Sequence, residues 1–438
     1  MTGLLTTCGQ EFEDWSADYR LFSRQRLPIQ DVFSVIRRAV LRRLAPHSAL
    51  TVAIDDTLLR KTGIRIPGVG WRRDPLGPQF QTNFVRAQRV LQLSADLPLS
   101  AGGHRMVPIG FHHAPTPIKP SRKADAAALA HYRQHARQSR ISLLASQNIV
   151  ELRQRMDTDG AALRPLHVCV DGGYTNGTVL KSLPANTVLI GRIRQDAKLY
   201  FPPNQNRAHK APGRPRHYGE LAPTPEKLRT NDAAPWQTVA IDIAGKTHDL
   251  RVKLSRNLLW RTAGLRHLLQ LVVIAPLAYR LRKGSKLLYR RPAFLICTDP
   301  QLDLRTLLQD YVHRWDIEVN FREEKTLLGV GQAQVRNPHS VEQLPALQVA
   351  SYAMLLLSMS HPSMAGQDTD SIPPAKWAAA QKPPRSSTQA AINHLRAEVW
   401  GKALGLTNFS DLMICVPPVA SPQKFVPHLP SAVLYAYN

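Results

Sequence analysis

Cysteine is scarce in this chain of 438 residues, and its four cysteines lie far apart. They are Cys8, Cys169, Cys297 and Cys415. No Cys-x-x-Cys pair and no cluster of cysteine with histidine occurs, so the sequence excludes the usual zinc-binding patterns. The scarcity fits a reducing compartment better than an oxidising one, and we expect a cytoplasmic protein.

Long hydrophobic runs are missing as well. A membrane-spanning helix needs about 18 or more consecutive apolar residues, whereas the longest apolar stretch, 346–357, is interrupted by Gln348, Ser351 and Tyr352. That stretch predicts a buried helix instead. The beginning, MTGLLTTCGQEFEDW, lacks the basic region, long apolar core and cleavage site of a secretory signal. We therefore expect neither export nor a membrane partner.

Acidic residues are few relative to basic ones. The chain has 57 Lys and Arg against 32 Asp and Glu, a net charge of +25, with an isoelectric point near 10.4. Residues 186–291 alone hold 21 basic and 6 acidic residues. Such an excess favours an anionic partner, and nucleic acid is the first candidate. Within this segment the basic stretch GRPRHYG supplies two candidate contacts, Arg214 and Arg216.

Apolar runs of strand length alternate with helical patterns, and the apolar fraction of 43% can fill a sizeable core. Three such runs predict strands, at Leu50–Ile54, Leu166–Val170 and Ala293–Thr298. The first run stops at Asp55-Asp56 and the second at Asp171. Helices are predicted at about 123–156 and 302–328. The pattern indicates an α/β fold in which two strand ends bring carboxylates to one edge of a sheet.

These patterns divide the chain into six segments. The N-terminal segment contains a basic amphipathic helix, which is either a solvated surface helix or one that lies on a phosphate backbone. The segments are a helical N-terminal segment (1–48), a first core part (49–185), a basic β-rich insertion (186–291), a second core part (292–358), a linker (359–388), and a C-terminal helix and tail (389–438).

The helix predicted at 302–328 carries the most specific pattern. At about 100° per residue, five of its polar residues fall within an arc of about 80° on one face. They are Tyr311, Arg314, Glu318, Arg322 and Lys325. A solvated, salt-bridged helix has a similar pattern. Val312 and Val319, however, lie to one side of the arc and would anchor the helix so that its charged face lines a cleft.

Three carboxylates, two at strand ends and one on this helix, suit a site for two divalent metal ions. Mg²⁺ and Mn²⁺ prefer carboxylate oxygens. A pair of such ions polarises the attacking oxygen and neutralises the leaving oxygen of a phosphodiester. Each Asp alone would be an ordinary turn or cap residue, but the joint pattern predicts phosphodiester chemistry.

The sequence resembles the DDE transposases of bacterial insertion sequences, in the group with a Tyr-(2)-Arg-(3)-Glu-(6)-Lys signature. Tyr311, Arg314, Glu318 and Lys325 match that spacing at every position. The resemblance covers residues 50–355.

The resemblance also assigns the two strand-end carboxylates. The first carboxylate of these enzymes precedes a Thr, which gives Asp56 before Thr57, with Asp55 as a rival. The second lies in an Asp-Gly-aromatic context, which gives Asp171 in VDGGYTN. Some relatives have one more residue before the aromatic than this chain has before Tyr174.

The resemblance implies a ribonuclease H-like fold, a mixed sheet flanked by helices, with a β-rich insertion between the second Asp and the Glu. It implies that Asp56, Asp171 and Glu318 hold two Mg²⁺ or Mn²⁺ ions. Tyr311, Arg314 and Lys325 would contact DNA phosphates, and Arg322 on the same face is a further candidate. The implied partner is double-stranded DNA, both element ends and target, bound by a homodimer.

The implied activity is cleavage at the element ends followed by transfer of the 3′-hydroxyl ends to target DNA. Two other functions stay open at this point. One is a transposase-derived DNA-binding regulator that has lost catalysis. The other is a plain nuclease on the same fold.

Overall fold

The computed structural model describes residues 14–24, 26–74, 77–78, 80–99, 103–203, 216–243, 245–280, 284–360 and 387–403. Arg214, most of the predicted linker and the C-terminal tail lie outside these ranges, and the six segment boundaries stay predictions. None of the helices in the described ranges is long and apolar enough to cross a membrane.

The described helices and strands alternate along the chain. The helices are α1 (Ser16–Ser23), α2 (Ile29–Arg43), α3 (Ala126–Gln138), α4 (Ile141–Thr158), α5 (Gly177–Leu180), α6 (Pro225–Thr230), α7 (Leu304–His313), α8 (Asp316–Leu327), α9 (Pro338–Met359) and α10 (Thr388–Ala403). The strands are β1 (Leu50–Arg60), β2 (Gly70–Arg73), β3 (Phe84–Pro98), β4 (His104–Ala114), β5 (Leu166–Val170), β6 (Thr187–Arg192), β7 (Leu199–Tyr200), β8 (Gln237–Ile243), β9 (Lys246–Trp260), β10 (Gly264–Ile274), β11 (Ala278–Tyr279), β12 (Leu288–Tyr289) and β13 (Ala293–Cys297).

One mixed sheet of 11 strands forms the centre of the described part of the chain. Its order is β2-β3-β1-β5-β6-β13-β10-β9-β7, with β4 paired to β3 and β8 paired to β9. Strands β1, β5 and β6 are parallel, while β3 and β13 on either side of them are antiparallel. A mixed sheet flanked by helices is consistent with the ribonuclease H-like arrangement, so the predicted fold class is confirmed.

Strand β1 continues past the acidic pair, although the apolar pattern predicted an end at Ile54. The parallel pairing with β5 does stop there, where Ile54 lies opposite Val170. The antiparallel pairing with β3 goes on until Arg60 lies opposite Ala87. The predicted strand end was therefore wrong, because the extension depends on a partner strand that is distant in the sequence.

Most strands of the basic segment 186–291 continue the central sheet. Strand β6 pairs with β5 and β10 pairs with β13, while β11 and β12 form a separate two-stranded sheet. Leu271 and Val273 of β10 are buried in the same core cluster as Val168 of β5. The basic segment is thus built onto the core through shared strands.

Helix α2 packs on the core. Phe33 is fully buried in the main core cluster. Arg37 donates to Asp159 at 2.8 Å, and Arg43 donates to the backbone oxygen of Leu357 at 2.6 Å. The other two arginines of the helix are exposed. Half of its basic residues therefore hold the helix to the protein.

Two helices that the sequence predicted as continuous are each divided. The first, at about 123–156, breaks at Arg140, whose ψ of 131° is extended rather than helical. The second, at 302–328, is interrupted at Arg314 and Trp315, between α7 and α8. There the amides of Trp315, Ile317 and Glu318 bond to carbonyls three residues back, which tightens the turn.

Buried hydrogen bonds hold α7 and α8 on the sheet. Asp310 accepts from Thr51 at 3.0 Å and pairs with His167 at 2.7 Å. Asn320 donates to the backbone oxygen of Met106 at 2.9 Å. Because buried polar groups are costly without partners, these bonds fix where the two helices lie relative to β1 and its neighbours.

Glu324 of α8 makes stability depend on pH. It is 1% exposed, and its Oε1 accepts from Gln92 Nε2 at 2.9 Å. Burial raises the pKa of Glu324 to about 8, whereas the pKa of a Glu in the unfolded chain is about 4.3. The folded state therefore holds an extra proton between these values, and stability is lost as pH rises toward 8.

We expect Glu324→Gln to remove this loss. The thermal midpoint of the variant should exceed that of the wild type by at least about 3 °C at pH 8, and the two should converge near pH 5. Thermal unfolding across this range is the measurement, with exposed Glu151→Gln as the control. A constant difference between wild type and variant at all pH values would contradict the expectation.

Candidate active site

Asp55 and Asp56 project to opposite faces of β1, because side chains alternate along a strand. On the side of Asp55, Thr51 bonds to α7, and Thr57 accepts from Lys325 Nζ of α8 at 2.6 Å. The side of the sheet that carries Asp55 is therefore the side covered by α7 and α8. We call this side the Asp55 face.

Asp55 lies beside a buried arginine. Arg314 Nη1 is 3.4 Å from Asp55 Oδ2, and Arg314 Nη2 is 3.9 Å from Glu318 Oε1. Burial raises the pKa of Asp55 to about 7; Arg314 opposes this rise and the Asp171 carboxylate adds to it. Burial and Asp171 likewise raise the pKa of Glu318, again against Arg314. Asp55, Asp171 and Glu318 thus form one electrostatically coupled cluster around Arg314.

Asp171 reaches this cluster through strand register. Val170 pairs with Ile54, so Asp171 follows β5 at the level of Asp55. Its Oδ1 accepts from the backbone N–H of Gly173 at 2.8 Å. A Cβ at Gly173 would lie 3.1 Å from that oxygen, so glycine leaves the carboxylate uncrowded.

Asp56, on the other face of the sheet, is paired with an arginine. Arg89 Nε donates to its Oδ2 at 2.6 Å and Arg89 Nη2 to its Oδ1 at 2.9 Å, and the Tyr174 hydroxyl also donates to it. This bidentate ion pair neutralises the carboxylate. The structure therefore brings Asp55, and not Asp56, to Arg314. Arg89 was missed from the sequence, because it meets Asp56 only through the pairing of β3 with β1.

Two signature residues are turned toward the protein. Arg314 is 7% exposed, and both of its η nitrogens face carboxylates. Its guanidinium carbon lies 5.5 Å from the centre of the Tyr311 ring, and Tyr311 packs against buried apolar residues. In this arrangement the pair supports the acidic cluster from inside the fold.

The remaining candidate DNA contacts differ in exposure. Arg322 of α8 and Arg216 are exposed, and Lys325 is half-buried against β1. Arg214 lies outside the described residues. Trp315, which sequence reasoning did not single out, is 60% exposed at the turn between α7 and α8.

The donor set of the cluster fits divalent metal ions. Hard cations such as Mg²⁺ and Mn²⁺ take carboxylate oxygens, and Asp55, Asp171 and Glu318 supply these. The raised pKa values of Asp55 and Glu318 mean that burial disfavours the ionised carboxylates at this site. A bound cation would favour the ionised form of both groups.

A second group of possible metal ligands lies nearby. One ligand atom each from Asp96, His104 and His313 falls within 4.8 Å of the others. Both imidazole Nδ1 atoms, however, lie at hydrogen-bond distance from Asp96, at 2.8 and 2.7 Å, and the rings stack with planes 10° apart. Because a nitrogen lone pair lies in the ring plane, two nearly parallel rings do not converge on one ion. Although burial disfavours its charge, these bonds lower the pKa of Asp96 to about 2.

A comparison with protein families identifies the family of the chain. A family model described as DDE superfamily endonuclease matches residues 13–265, more than half of the chain. The match includes Asp55, Asp56 and Asp171 and ends before Glu318. No curated protein matches the chain. With three coupled carboxylates on a ribonuclease H-like sheet, the chain belongs to the DDE superfamily endonucleases, nuclease-type enzymes that act on DNA with divalent metal ions.

Proposed function

We propose that this protein is a DNA transposase of an insertion sequence, with Asp55, Asp171 and Glu318 as its metal ligands. The observation that carries the proposal is the convergence of these three carboxylates around Arg314 on one face of the sheet. The proposal replaces Asp56 by Asp55 as the first ligand, because Asp56 is neutralised by Arg89 on the opposite face.

The reaction consists of a phosphodiester hydrolysis followed by a transesterification. Water first attacks the phosphorus at the element end, the bond to the 3′ oxygen breaks, and a 3′-hydroxyl and a 5′-phosphate result. That hydroxyl then attacks a target phosphate and displaces another 3′ oxygen. Two bound Mg²⁺ or Mn²⁺ ions would act as Lewis acids that stabilise the attacking oxygen and the leaving oxygen. No covalent bond to the protein is required.

The chain's own residues position the groups for these two steps. Asp55 and Asp171 are fixed by adjacent strands, and Glu318 by α8, so their spacing is set by the sheet and by the buried bonds of α7 and α8. Arg314 keeps Asp55 and Glu318 in place by contacting both. Rigid elements of this kind preorganise a site before DNA binds.

DNA binding is assigned to cations outside the acidic cluster. Arg322 and Lys325 on α8 would contact phosphates near the reacting bond, and Arg214 and Arg216 of the basic segment would contact DNA further away. Each neutralised phosphate adds about −0.9 to the slope of log affinity against log salt on duplex DNA. We also propose that two copies bind the two element ends, because transposition requires both ends to be held together.

The test is a cleavage and joining assay on DNA that carries the inverted repeats flanking the reading frame. We expect nicks at the element end with Mg²⁺ or Mn²⁺, joined products with target DNA, and neither in EDTA. Joined products separate a transposase from a plain nuclease, which gives nicks alone. Specific binding without cleavage in either metal would contradict the proposal and indicate a regulator.

A further inference from the structure

The ribbon formed by β2 and β3 exposes an alternation of aromatic and basic side chains. Trp71 pairs with Arg86, and Arg73 pairs with Phe84. Residues directly opposite in an antiparallel pair share a face, so these four side chains project together. Trp71 is 67% exposed and Phe84 57%. We call this group the aromatic–arginine face.

Large exposed aromatic rings call for an explanation, because exposed apolar surface often marks an interaction site. The opposite side of the ribbon is tied to the protein instead, since Arg72 donates to Thr116 Oγ1 at 2.7 Å. At the turn beyond β2, Phe80 is 92% exposed as well. The ribbon thus has one anchored side and one side that presents Trp71, Phe84 and Arg73 to solvent. Arg86 on the same side is half-buried, and its Nη2 donates to the backbone oxygen of Ile64.

The aromatic–arginine face lies on the same side of the sheet as the candidate active site. Gln92 of β3 is opposite Asp55, and Arg86 lies six residues earlier in the same strand. An even number of residues returns to the same face, and at about 3.3 Å per residue the separation is about 20 Å. Gln88 and Gln92 of β3 are buried between the two sites, so DNA bound at Asp55 would pass over the segments that cover this strand and reach Trp71 and Phe84.

We propose that the aromatic–arginine face binds an unpaired stretch of the DNA substrate by base stacking. Trp71 and Phe84 are diagonal neighbours, on the order of 7–8 Å apart, so both can stack on bases of one strand. Arg73 and Arg86 supply positive charge for the adjacent phosphates. Alternating aromatic and basic groups are how proteins bind single-stranded DNA, because unpaired bases expose their ring faces and duplex bases do not. In naming DNA as the partner, the inference rests on the proposed function.

The experiment measures binding in EDTA, so that catalysis plays no part. Fluorescence anisotropy would follow a labelled single strand, a fork with an unpaired end and a blunt duplex of the same sequence. We expect Trp71→Ala and Phe84→Ala each to weaken binding of the single strand and the fork by about tenfold or more, with less than about a twofold change on the duplex. Trp71→Phe should keep most of the affinity. Leu163→Ala is the matched control, since Leu163 is 84% exposed on a distant loop.

Unchanged affinity of both alanine variants for the single strand and the fork would overturn the inference. So would an equal loss on the blunt duplex, because that result would show a contact with paired DNA. Failure of the proposed function would be seen separately, as absent cleavage and joining by the wild type with Mg²⁺. The two ideas therefore fail by different measurements.

Discussion

Asp55→Asn is expected to reduce metal-dependent DNA cleavage at least about a thousandfold, whereas Asp56→Asn should stay within about tenfold of the wild type. Loss of one ligand removes several kcal/mol of stabilisation of the charge that develops during phosphoryl transfer, and each ~1.4 kcal/mol is a factor of about ten in rate. Asparagine keeps the size of the side chain, so the comparison isolates the charge. Initial cleavage rates at saturating Mg²⁺ are the measurement.

The control for this comparison is metal binding without chemistry. Mn²⁺ should raise the thermal midpoint of the wild type and of Asp56→Asn, and should do so much less for Asp55→Asn, because a ligand stabilises the state that binds it. Asp56→Asn should also lower the midpoint in EDTA, since it weakens the bidentate pair with Arg89. An inactive Asp56→Asn beside an active Asp55→Asn would assign the metal ligand to Asp56.

Arg314→Ala is expected to destabilise the protein by about 3–5 kcal/mol in EDTA, the cost typical of removing one partner from a buried ion pair. The substitution removes the guanidinium that contacts Asp55 and Glu318, while Asp55 stays buried near the Asp171 carboxylate. Mn²⁺ should restore part of the loss, because it compensates the same carboxylates. Urea unfolding with and without Mn²⁺ is the measurement.

Arg322→Ala, in the neighbouring helix α8, is the matched control. Arg322 is exposed, so its removal should change stability by less than about 0.5 kcal/mol, while the salt slope of DNA binding becomes shallower by about one. Arg314→Lys should lie between wild type and Arg314→Ala, since one ammonium does not reproduce contacts from two nitrogens. Equal unfolding of wild type and Arg314→Ala in EDTA would show that Arg314 does not support the acids.

The parts of the site that local patterns encode were predictable. The second strand was predicted to the residue as Leu166–Val170, because a short, mostly apolar run that ends at Asp171-Gly172-Gly173 is typical of a buried strand followed by a turn. The basic excess follows directly from the composition. The α/β class follows from the alternation of strand-like and helix-like patterns. Glu318 was predicted from its spacing on a helix, and its place on α8 confirms that it is helical.

The parts that depend on distant partners were not predictable. A single helix was predicted at 302–328, but the turn at Arg314 forms between two helices whose side chains also bond to different strands, Asp310 of α7 to His167 of β5 and Asn320 of α8 to Met106 of β4. The arc of about 80° was drawn on a straight helix, so it placed Arg314 beside the outward cations. In the fold Arg314 faces Asp55 instead.

The sequence by itself determined the chemistry that is present: acidic residues after two apolar runs, a Glu on a helix and a surplus of cations, all set by residue type and short-range spacing. Tertiary structure decided which neighbour of the pair Asp55-Asp56 meets the other acids. Alternation along β1 guarantees that the two side chains point apart, but it does not say which side α7 and α8 cover. That side follows from buried bonds between Asp310 and Thr51 and between Lys325 and Thr57, which join residues more than 250 positions apart and exist only in the folded chain.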